Sequence, residues 1–277
     1  MSEHQSQDVE HWVPEWDGAA YAANTAHHRV FDDAFLATTP LKEGDRVLDL
    51  GCGSGDFTAM IAGIVGADGH VVGVDAQASM LDEARARARA NQSFVRSSVQ
   101  DLDRAFGPEH DGTFDVVLSR AVLHWVPAAD QAGVYRSAGR LVKPGGWMRV
   151  ECGGAGNIPK PLALLDDVSA GFGGPQCPWT FADPASALDW LEAAGLDAVT
   201  DPRAYVRCVG QRRAFDRESL VGWFRSQVAS AYEASLPVER HAEFRAAVES
   251  RLEECRRADG TLDQTWVRLD LLARRPG

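Results

Sequence analysis

The segment that most constrains the fold of this chain is a short apolar run followed directly by three alternating glycines. Residues 47–55 read Val-Leu-Asp-Leu-Gly-Cys-Gly-Ser-Gly, and a helical pattern follows from Phe57 to Val65. Glycine lets the backbone turn sharply and approach a ligand with no Cβ in the way, although it weakens regular structure. The segment therefore predicts a strand, a ligand-contacting turn and a helix.

The spacing of the glycines narrows the kind of ligand. A dinucleotide fingerprint Gly-x-Gly-x-x-Gly that begins at Gly51 needs glycine at position 56, where this chain has Asp56. A pyrophosphate seat is therefore disfavoured, and a nicotinamide-linked oxidoreductase becomes the weaker alternative. A nucleotide-like ligand is the expectation for this turn.

The first half of the chain alternates short apolar runs with helical patterns, which is typical of βαβ units in a parallel sheet. Helices are predicted at Phe57 to Val65, Ser79 to Asn91 and Ala129 to Leu141, and Pro144-Gly145-Gly146 predicts a turn. The predicted strands are Arg46 to Leu50, Val71 to Asp75, Phe94 to Ser97, Phe114 to Ser119 and Trp147 to Cys152.

The second half is less regular. Strands are expected at Ala204 to Val209 and Thr265 to Arg274, and two amphipathic helices, Asp216 to Glu233 and Pro237 to Arg257, fall between them. We expect a helical N-terminal cover in residues 1–40 and a wound α/β domain in residues 41–213 and 260–277. Residues 214–259 are expected to form a helical insert that acts as a lid over the substrate.

Composition excludes several classes of function. Of the 277 residues 45% are hydrophobic, which allows a sizeable core, and a net charge of −12 disfavours nucleic acid and anionic membranes as partners. No apolar run approaches the roughly 20 residues of a membrane-spanning helix, and Met1 to Glu10 lacks the pattern of a signal peptide. Five cysteines without a Cys-x-x-Cys pair favour a reducing compartment and no metal site. We expect a cytoplasmic protein.

Residues 47–55 resemble motif I of the class I S-adenosylmethionine-dependent methyltransferases, and Asp49, Gly51, Gly53 and Gly55 match it position by position. The resemblance implies a Rossmann-like α/β fold with a mostly parallel seven-stranded sheet and helices on both faces. It also implies that S-adenosylmethionine is the cofactor, with the glycines contacting its methionine and ribose portions. Asp49 is expected to orient the turn or to meet the ammonium group through water.

Further cofactor residues follow from the same resemblance. Asp75 ends the second predicted strand, where a carboxylate can accept from both ribose hydroxyls, although an acidic strand end can also be a helix N-cap. Ala76 is assigned beside it, and Met80 is expected on the adenine face or in the core. Many relatives have Gly-Asp-Ala after the third strand, and here Ser98 stands where that Asp would be. We expect the Val99 amide to meet the ring edge, with Ser98 or Gln100 replacing the carboxylate.

The segment after the fourth strand, Ser119 to Val126, is similar to that of trans-aconitate methyltransferase-like enzymes and their small-molecule relatives, and it lacks the Asn-Pro-Pro-Tyr type of segment. This position lies at the carboxyl edge of the sheet, where ligands of open α/β folds bind. Ser119 is assigned to the cofactor. His124 is a candidate general base, because imidazole titrates near neutral pH, and a structural role is an equal alternative.

The acceptor side is less defined. Tyr21, in the predicted N-terminal cover, matches a frequent family tyrosine that touches cofactor or substrate, and it can equally anchor a helix. Arg120 and Arg149 are candidate cations for a carboxylate acceptor, or members of ion pairs. Aromatic residues expected in the region of the acceptor pocket, each also a candidate for the core, are Trp179, Phe181, Trp223, Phe224 and Tyr232.

These features together predict an enzyme that transfers a methyl group from S-adenosylmethionine to an O, N or C atom of a small molecule. The sequence leaves a carboxylate and a secondary metabolite as alternative acceptors. The alternative from another class is a non-catalytic protein that binds S-adenosylmethionine. We expect no nucleic-acid or membrane partner, and a monomer or a homodimer.

Overall fold

The computed structural model describes residues 32–199, 207–209 and 214–277. Tyr21 and nearly all of the predicted N-terminal cover lie outside these residues, as does the first part of the predicted strand Ala204 to Val209.

A single mixed sheet forms the centre of the molecule. Seven strands lie in the order β3-β2-β1-β4-β5-β8-β6, and β7 pairs with β8 outside that path. The strands from β3 to β5 are parallel, whereas β8 runs antiparallel to β5, β6 and β7. The strand bounds are β1 Arg46–Leu50, β2 His70–Asp75, β3 Gln92–Arg96, β4 Phe114–Arg120, β5 Val142–Gly153, β6 Asp197–Ala198, β7 Arg207–Val209 and β8 Trp266–Arg274.

Helices follow most of the parallel strands and cover the sheet. They are α1 Asp32–Ala37, α2 Asp56–Val65, α3 Ala78–Ala86, α4 Leu102–Ala105, α5 Ala128–Leu141, α6 Pro159–Gly171, α7 Pro184–Ala193, α8 Arg217–Gln227, α9 Ala229–Glu233 and α10 His241–Arg251. The Rossmann-like fold with a mostly parallel sheet is therefore confirmed, and the doubly covered strand β4 is buried at five of its seven positions.

Element boundaries differ from the sequence prediction in several places, and α10 spans only His241–Arg251 of the helix predicted from Pro237 to Arg257. Helix α3 ends at Ala86 rather than at Asn91. The helix predicted from Asp216 to Glu233 breaks at Val228, which leaves the helical region at φ −126°, so that α8 and α9 are separate. Strand β5 begins at Val142 and runs through the predicted glycine turn with a register irregularity against β4, and Gly145 there has φ +75°.

Three hydrophobic cores stabilise the described part of the chain. The first contains the faces of the sheet strands that pack against α5 and α7. The second joins α6 to α8, α9 and α10 through side chains that include Leu164, Phe224, Tyr232 and Phe244. The helical insert thus shares a core with α6, which directly follows β5. The third core packs α2 against β1, β2 and β4. Within the described ranges, no helix has the length and apolar character needed to cross a membrane.

Candidate active site

Three left-handed glycines shape the turn after β1. Gly51, Gly53 and Gly55 have φ of +75°, +53° and +80°, a region that residues with a Cβ rarely adopt. A Cβ on Gly51 would lie 2.1 Å from the Val122 side chain, so this glycine is required for packing. A Cβ on Gly53 would meet no atom of the described residues within 4 Å, so the described part of the chain leaves bare backbone facing open space at that point.

The carboxylate of Asp75 is tied directly to this turn. Its Oδ2 accepts from the Gly53 amide at 2.9 Å, and its Oδ1 accepts from the Gln77 amide at 2.9 Å. Burial raises the pKa of the carboxyl group, although these amides act in the opposite direction. Each carboxylate oxygen has a second lone pair, so Asp75 can still accept from two hydroxyl groups beside Gly53.

Asp49 lies beneath the turn and is 2% exposed. Its Oδ2 accepts from the Thr58 hydroxyl at 2.7 Å, and this bond joins β1 to α2. Burial, assisted by the charge of Asp75, raises the pKa of Asp49 to about 6. Two neighbouring carboxyl groups therefore favour a ligand that brings positive charge to the turn.

These residues fit S-adenosylmethionine on chemical grounds. The open space over Gly53 is a cradle that any side chain would fill, the Asp75 carboxylate suits a ribose diol, and the two acids suit a cationic sulfonium with its ammonium group. Asp56, which breaks the dinucleotide pattern, accepts instead from Arg87 at 2.7 Å on the surface.

The remaining predicted cofactor residues lie at the same edge of the sheet. Met80 and Val99 are 4% and 8% exposed, and Ala76 is partly buried next to Asp75. Ser98 caps a short 3-10 helix and its hydroxyl accepts from the Gln100 amide at 3.2 Å. Ser119 is fully buried and its hydroxyl donates to the Leu50 carbonyl at 3.2 Å, so this geometry does not support a direct hydroxyl contact with a cofactor.

A second site begins where β4 ends. Ala121 has φ +59° and its amide donates to the Glu151 carbonyl at 2.7 Å, and Ile158, which precedes α6, has φ +41°. Both residues have a Cβ and adopt the left-handed backbone region, which costs energy for such residues, and backbone strain of this kind clusters at functional sites. Both line one small cavity of about 60 Å³, whose other lining residues are His124, Trp125, Asn157, Trp179, Phe181, Trp223, Gln227, Val228, Trp266 and Arg268.

His124 lies in this cavity wall, in the 3-10 helix Leu123–Trp125. Its Nδ1 accepts from the Gly153 amide at 3.3 Å, which places the ring proton on Nε2. Burial, and next the charge of Arg268, lower the pKa of the imidazole to about 3. A neutral ring that has already used its basic nitrogen is suited to donate a hydrogen bond from Nε2, and the role of general base stays a prediction.

The candidate cations Arg120 and Arg149 are both engaged in buried ion pairs. Arg149 is 2% exposed and pairs with Asp270, and Arg120 pairs with Asp32 of α1. Neither lines the cavity. Among the described residues, the cation that lines the cavity is Arg268 of β8, which the sequence had not indicated as a site residue; its position opposite Gly153 in the β5–β8 register brings it to the end of β5. Arg268 is also in a buried ion pair, since one of its terminal nitrogens donates to Glu151 at 2.8 Å.

The aromatic residues divide between cavity and core. Trp179, Phe181 and Trp223 line the cavity, and the Trp179 and Phe181 rings are stacked at 5.7 Å. Phe224 and Tyr232 are fully buried in the second core instead, where the Tyr232 hydroxyl donates to Asp166 at 2.8 Å.

Known methyltransferases resemble this chain in sequence. Residues 47–146 match a family model described as a methyltransferase domain. The chain is 29% identical to trans-aconitate 2-methyltransferase of Methylobacterium nodulans over 95% of this chain and 99% of that protein. It is 36% identical to the ubiquinone/menaquinone biosynthesis C-methyltransferase UbiE of Vibrio campbellii, over 44% of this chain and 47% of that protein.

Solved structures share the fold. Phosphoethanolamine N-methyltransferase 2 of Haemonchus contortus, in complex with S-adenosyl-L-methionine, superposes with a TM-score of 0.58 at 17% identity, over 94% of this chain and 57% of that one. These matches do not support the nicotinamide-linked and non-catalytic alternatives. The glycine turn, its two acids and the matched domain show an S-adenosylmethionine-dependent methyltransferase with a Rossmann-like fold.

Proposed function

We propose that this enzyme methylates a carboxylate of a small molecule and that the acceptor binds in the cavity at the ends of β4 and β5. The observation that carries the proposal is the polarity of the cavity wall. Among the described lining residues there is no Asp or Glu, and the groups that we assign to the ligand are N–H donors of Arg268, Trp179, His124 and Asn157.

Two of these donors are buried. The Nε of Arg268 and the indole Nε1 of Trp179 have no hydrogen-bond partner among the described residues, and the two residues are 7% and 8% exposed. Buried donors are nearly always satisfied, and leaving one unmade costs on the order of 1–3 kcal/mol. A ligand that offers lone pairs in the cavity would remove this cost.

Two more donors, on His124 and Asn157, are assigned because the acceptor atom of each side chain is already bonded to a backbone amide. His124 accepts at Nδ1 and so carries its proton on Nε2. Asn157 is 4% exposed, and its Oδ1 accepts from the Val267 amide at 2.9 Å, which assigns the NH₂ group to the opposite side. A wall of donors favours an anionic oxygen and disfavours an amine, which would bring further donors.

The aromatic walls add a restriction on shape. Rings from Trp125, Trp179, Phe181 and Trp223 favour a flat or conjugated body over a bulky aliphatic one. The match with trans-aconitate 2-methyltransferases over nearly the whole chain, at 29% and 28% identity, supports a carboxylate acceptor as well.

The chemistry requires little from a base. Bound S-adenosylmethionine would supply the methyl group of its sulfonium to the carboxylate oxygen, and the electron pair of the broken C–S bond would stay on sulfur. A carboxyl group with a pKa near 4 is already ionised at neutral pH, so no proton has to be removed. Arg268 and the Nε2–H of His124 hold the acceptor in line, and the aromatic walls exclude water.

The helical insert, residues 214–259, is proposed to be the lid of this cavity. Trp223, Gln227 and Val228 from the insert contribute to its wall. The enclosed volume, about 60 Å³, is far below the roughly 300–1,000 Å³ of ordinary ligand pockets. The insert therefore has to move outward before an acceptor can bind. The N-terminal cover, the cytoplasmic location and the monomer or homodimer state remain predictions.

The proposal is tested by the chemical form of the transferred methyl group. The enzyme is incubated with methyl-labelled S-adenosylmethionine and one acceptor at a time. The acceptors are trans-aconitate, cinnamate and benzoate and, in parallel reactions, their primary amides. We expect label only with carboxylates, in a product that releases labelled methanol in alkali, as methyl esters do and ethers and methylamines do not. Alkali-stable label, or transfer to the amides, would overturn the carboxylate assignment.

Two variants test the donor wall. Trp179→Phe removes the indole N–H and keeps a ring, and we expect kcat/KM for the carboxylate to fall about 10-fold, the value of one hydrogen bond to a charged group. Arg268→Met should lower it more than 100-fold and leave cofactor affinity unchanged. Arg274→Met, on the same strand but beside Trp147, is the matched control and should have wild-type activity. Unchanged activity in Trp179→Phe would argue against the assigned donor.

A further inference from the structure

The cation of the acceptor cavity, Arg268, is the last member of a row of charged side chains on one face of the sheet. In the β4–β5 register Arg120 lies opposite Glu151. In the β5–β8 register Arg268 lies opposite Gly153, which is two positions after Glu151. Side chains that lie directly opposite one another, or two positions apart on a strand, share a face of the sheet. Arg120, Glu151 and Arg268 therefore project from the same face.

Ion pairs connect these side chains. The Oε1 of Glu151 accepts from the Nη2 of Arg268 at 2.8 Å, and the Nε of Arg120 lies 3.8 Å from the same oxygen. Through its Nη1, Arg120 also donates to Asp32 in α1. The guanidinium carbon of Arg120 lies 5.1 Å from the centre of the Phe57 ring of α2. Arg120 is therefore held by elements that do not line the cavity.

The charges alternate in sign along the row Asp32–Arg120–Glu151–Arg268, so that a positive charge stands at the cavity. None of the four side chains is more than 10% exposed, and charges a few ångströms apart interact strongly where water is excluded. Without Arg120, two acids would remain beside one cation, and a carboxylate in the cavity would meet a net negative charge from the row. Because Arg120 offsets Glu151, Arg268 attracts an anionic ligand.

We propose that Arg120 is a positioning residue for the acceptor carboxylate, although it does not line the cavity. It shares the charge of Glu151 with Arg268. The Arg268 guanidinium, whose Nε has no partner among the described residues, thereby stays available to the ligand. Arg120 acts through two other side chains, and it affects an anionic ligand more than a neutral one. The inference rests on the proposed carboxylate acceptor.

The test measures the Kd of benzoate and of its neutral ester, methyl benzoate, by calorimetry with saturating S-adenosylhomocysteine. In Arg120→Gln we expect benzoate to bind about 10-fold more weakly, because the charge of Glu151 is no longer offset, and methyl benzoate to change less than about twofold. In steady-state assays the loss should appear in KM for benzoate, with kcat within about twofold of the wild-type value. A role in the fold alone would weaken the binding of both ligands equally, and that result would overturn the proposal.

A double-mutant cycle tests whether Arg120 acts through Glu151. Glu151→Gln leaves Arg268 without its counter-charge, so benzoate should bind about fivefold more tightly. In this background, adding Arg120→Gln should change the Kd of benzoate by less than about twofold. A loss of about 10-fold in the same background would show that Arg120 does not act through Glu151, and it would overturn the proposal.

Two further variants separate this role from stability. Arg120→Gln leaves Asp32 without this cation, so Asp32→Asn is combined with it to remove both charges, and benzoate should still bind about threefold more weakly. Arg149→Met with Asp270→Asn removes the neighbouring buried ion pair on the same face, and it should keep the benzoate Kd within about twofold of wild type. An unchanged benzoate Kd in both Arg120 variants would overturn the proposal. Failure of the wild-type protein to bind benzoate and cinnamate would instead refute the carboxylate assignment itself, and this inference with it.

Discussion

The two ends of this active site are built in different ways. The cofactor end consists mainly of backbone: residues 49–55 supply a turn of left-handed glycines, and one carboxylate, Asp75, is bonded to the Gly53 amide. The proposed acceptor end consists of side chains from the ends of β4, β5 and β8 and from α8, spread from Ala121 to Arg268.

The difference shows which part of the enzyme is free to vary. A turn whose glycines are needed for packing and for ligand approach tolerates few residue types, so one cofactor is retained. The donors of the cavity wall are held by separate bonds, such as Gly153 to His124 and Val267 to Asn157, and each can be exchanged singly. A new acceptor therefore requires changes at one end only.

The largest expected effect is a loss of cofactor affinity in a variant of the glycine turn that leaves the acceptor end unchanged. In Gly53→Leu the new side chain enters the open space over the turn, and we expect affinity for S-adenosylhomocysteine to fall more than 100-fold in calorimetry. Strain alone does not explain such a loss, because a non-glycine residue in the left-handed region costs only about 1–2 kcal/mol.

Gly44→Leu is the matched control for this prediction. Gly44 has φ +84°, and a Cβ there also meets nothing within 4 Å, but it lies before β1 and away from the turn. The control should lose stability to a similar degree and keep its affinity within about threefold. Equal losses of affinity in the two variants would mean that the space over Gly53 does not hold the cofactor.

A smaller effect distinguishes the two ends by pH. The pKa of Asp49 is raised to about 6, so between about 4 and 6 the folded protein holds an extra proton and its stability falls as pH rises. The pKa of His124 is lowered to about 3 in the folded protein. Between pH 3 and about pH 6.5 the unfolded chain therefore holds the extra proton, and stability rises with pH. The two ends therefore contribute opposite slopes.

Urea unfolding at pH 4.5, 5.5 and 6.5 measures these slopes. Asp49→Asn should make stability rise more steeply with pH than in the wild-type protein, and His124→Gln should make it rise less, each by about 1–3 kcal/mol over this range. A shift of both variants in the same direction would contradict the assigned burial of one of the two groups.

The same contrast explains how much could be predicted from sequence. The bounds of β1, the turn and the two acids are local features, so residues 47–75 were predicted almost completely. The place of Arg268 depends on the register of β8 against β5, and this arginine lies 115 positions after Gly153 in the sequence. The sequence around Arg268 does not indicate such a pairing. Arg120 and Arg149 could not be assigned to ion pairs from the sequence for the same reason, because their partners are distant in the chain.

Helix ends show a further physical limit. The start of α8 is encoded locally, because the Asp216 side chain accepts from the Glu218 and Ser219 amides. Its end at Val228 is set by packing in the second core rather than by a glycine or proline. A continuous amphipathic pattern from Asp216 to Glu233 therefore predicted one helix where the structure has two.

The smallest expected effect concerns His124 and separates a hydrogen-bond donor from a base. Glutamine retains an N–H at the end of its side chain, so His124→Gln should reduce kcat for a carboxylate acceptor by less than about fivefold, whereas loss of a general base would cost about 10²–10⁴. Because the pKa of His124 is about 3, we also expect kcat/KM of the wild-type enzyme to stay flat between pH 6 and 8. The measurement is initial rates of labelled methyl transfer to trans-aconitate across this range.

His124→Leu, which removes the N–H, should lose about 10-fold in rate, the value of one hydrogen bond to a charged group. A rate that rises through pH 6.5 in the wild type and becomes flat in His124→Gln would show that the imidazole accepts a proton, and the acceptor would then be a group that must lose one.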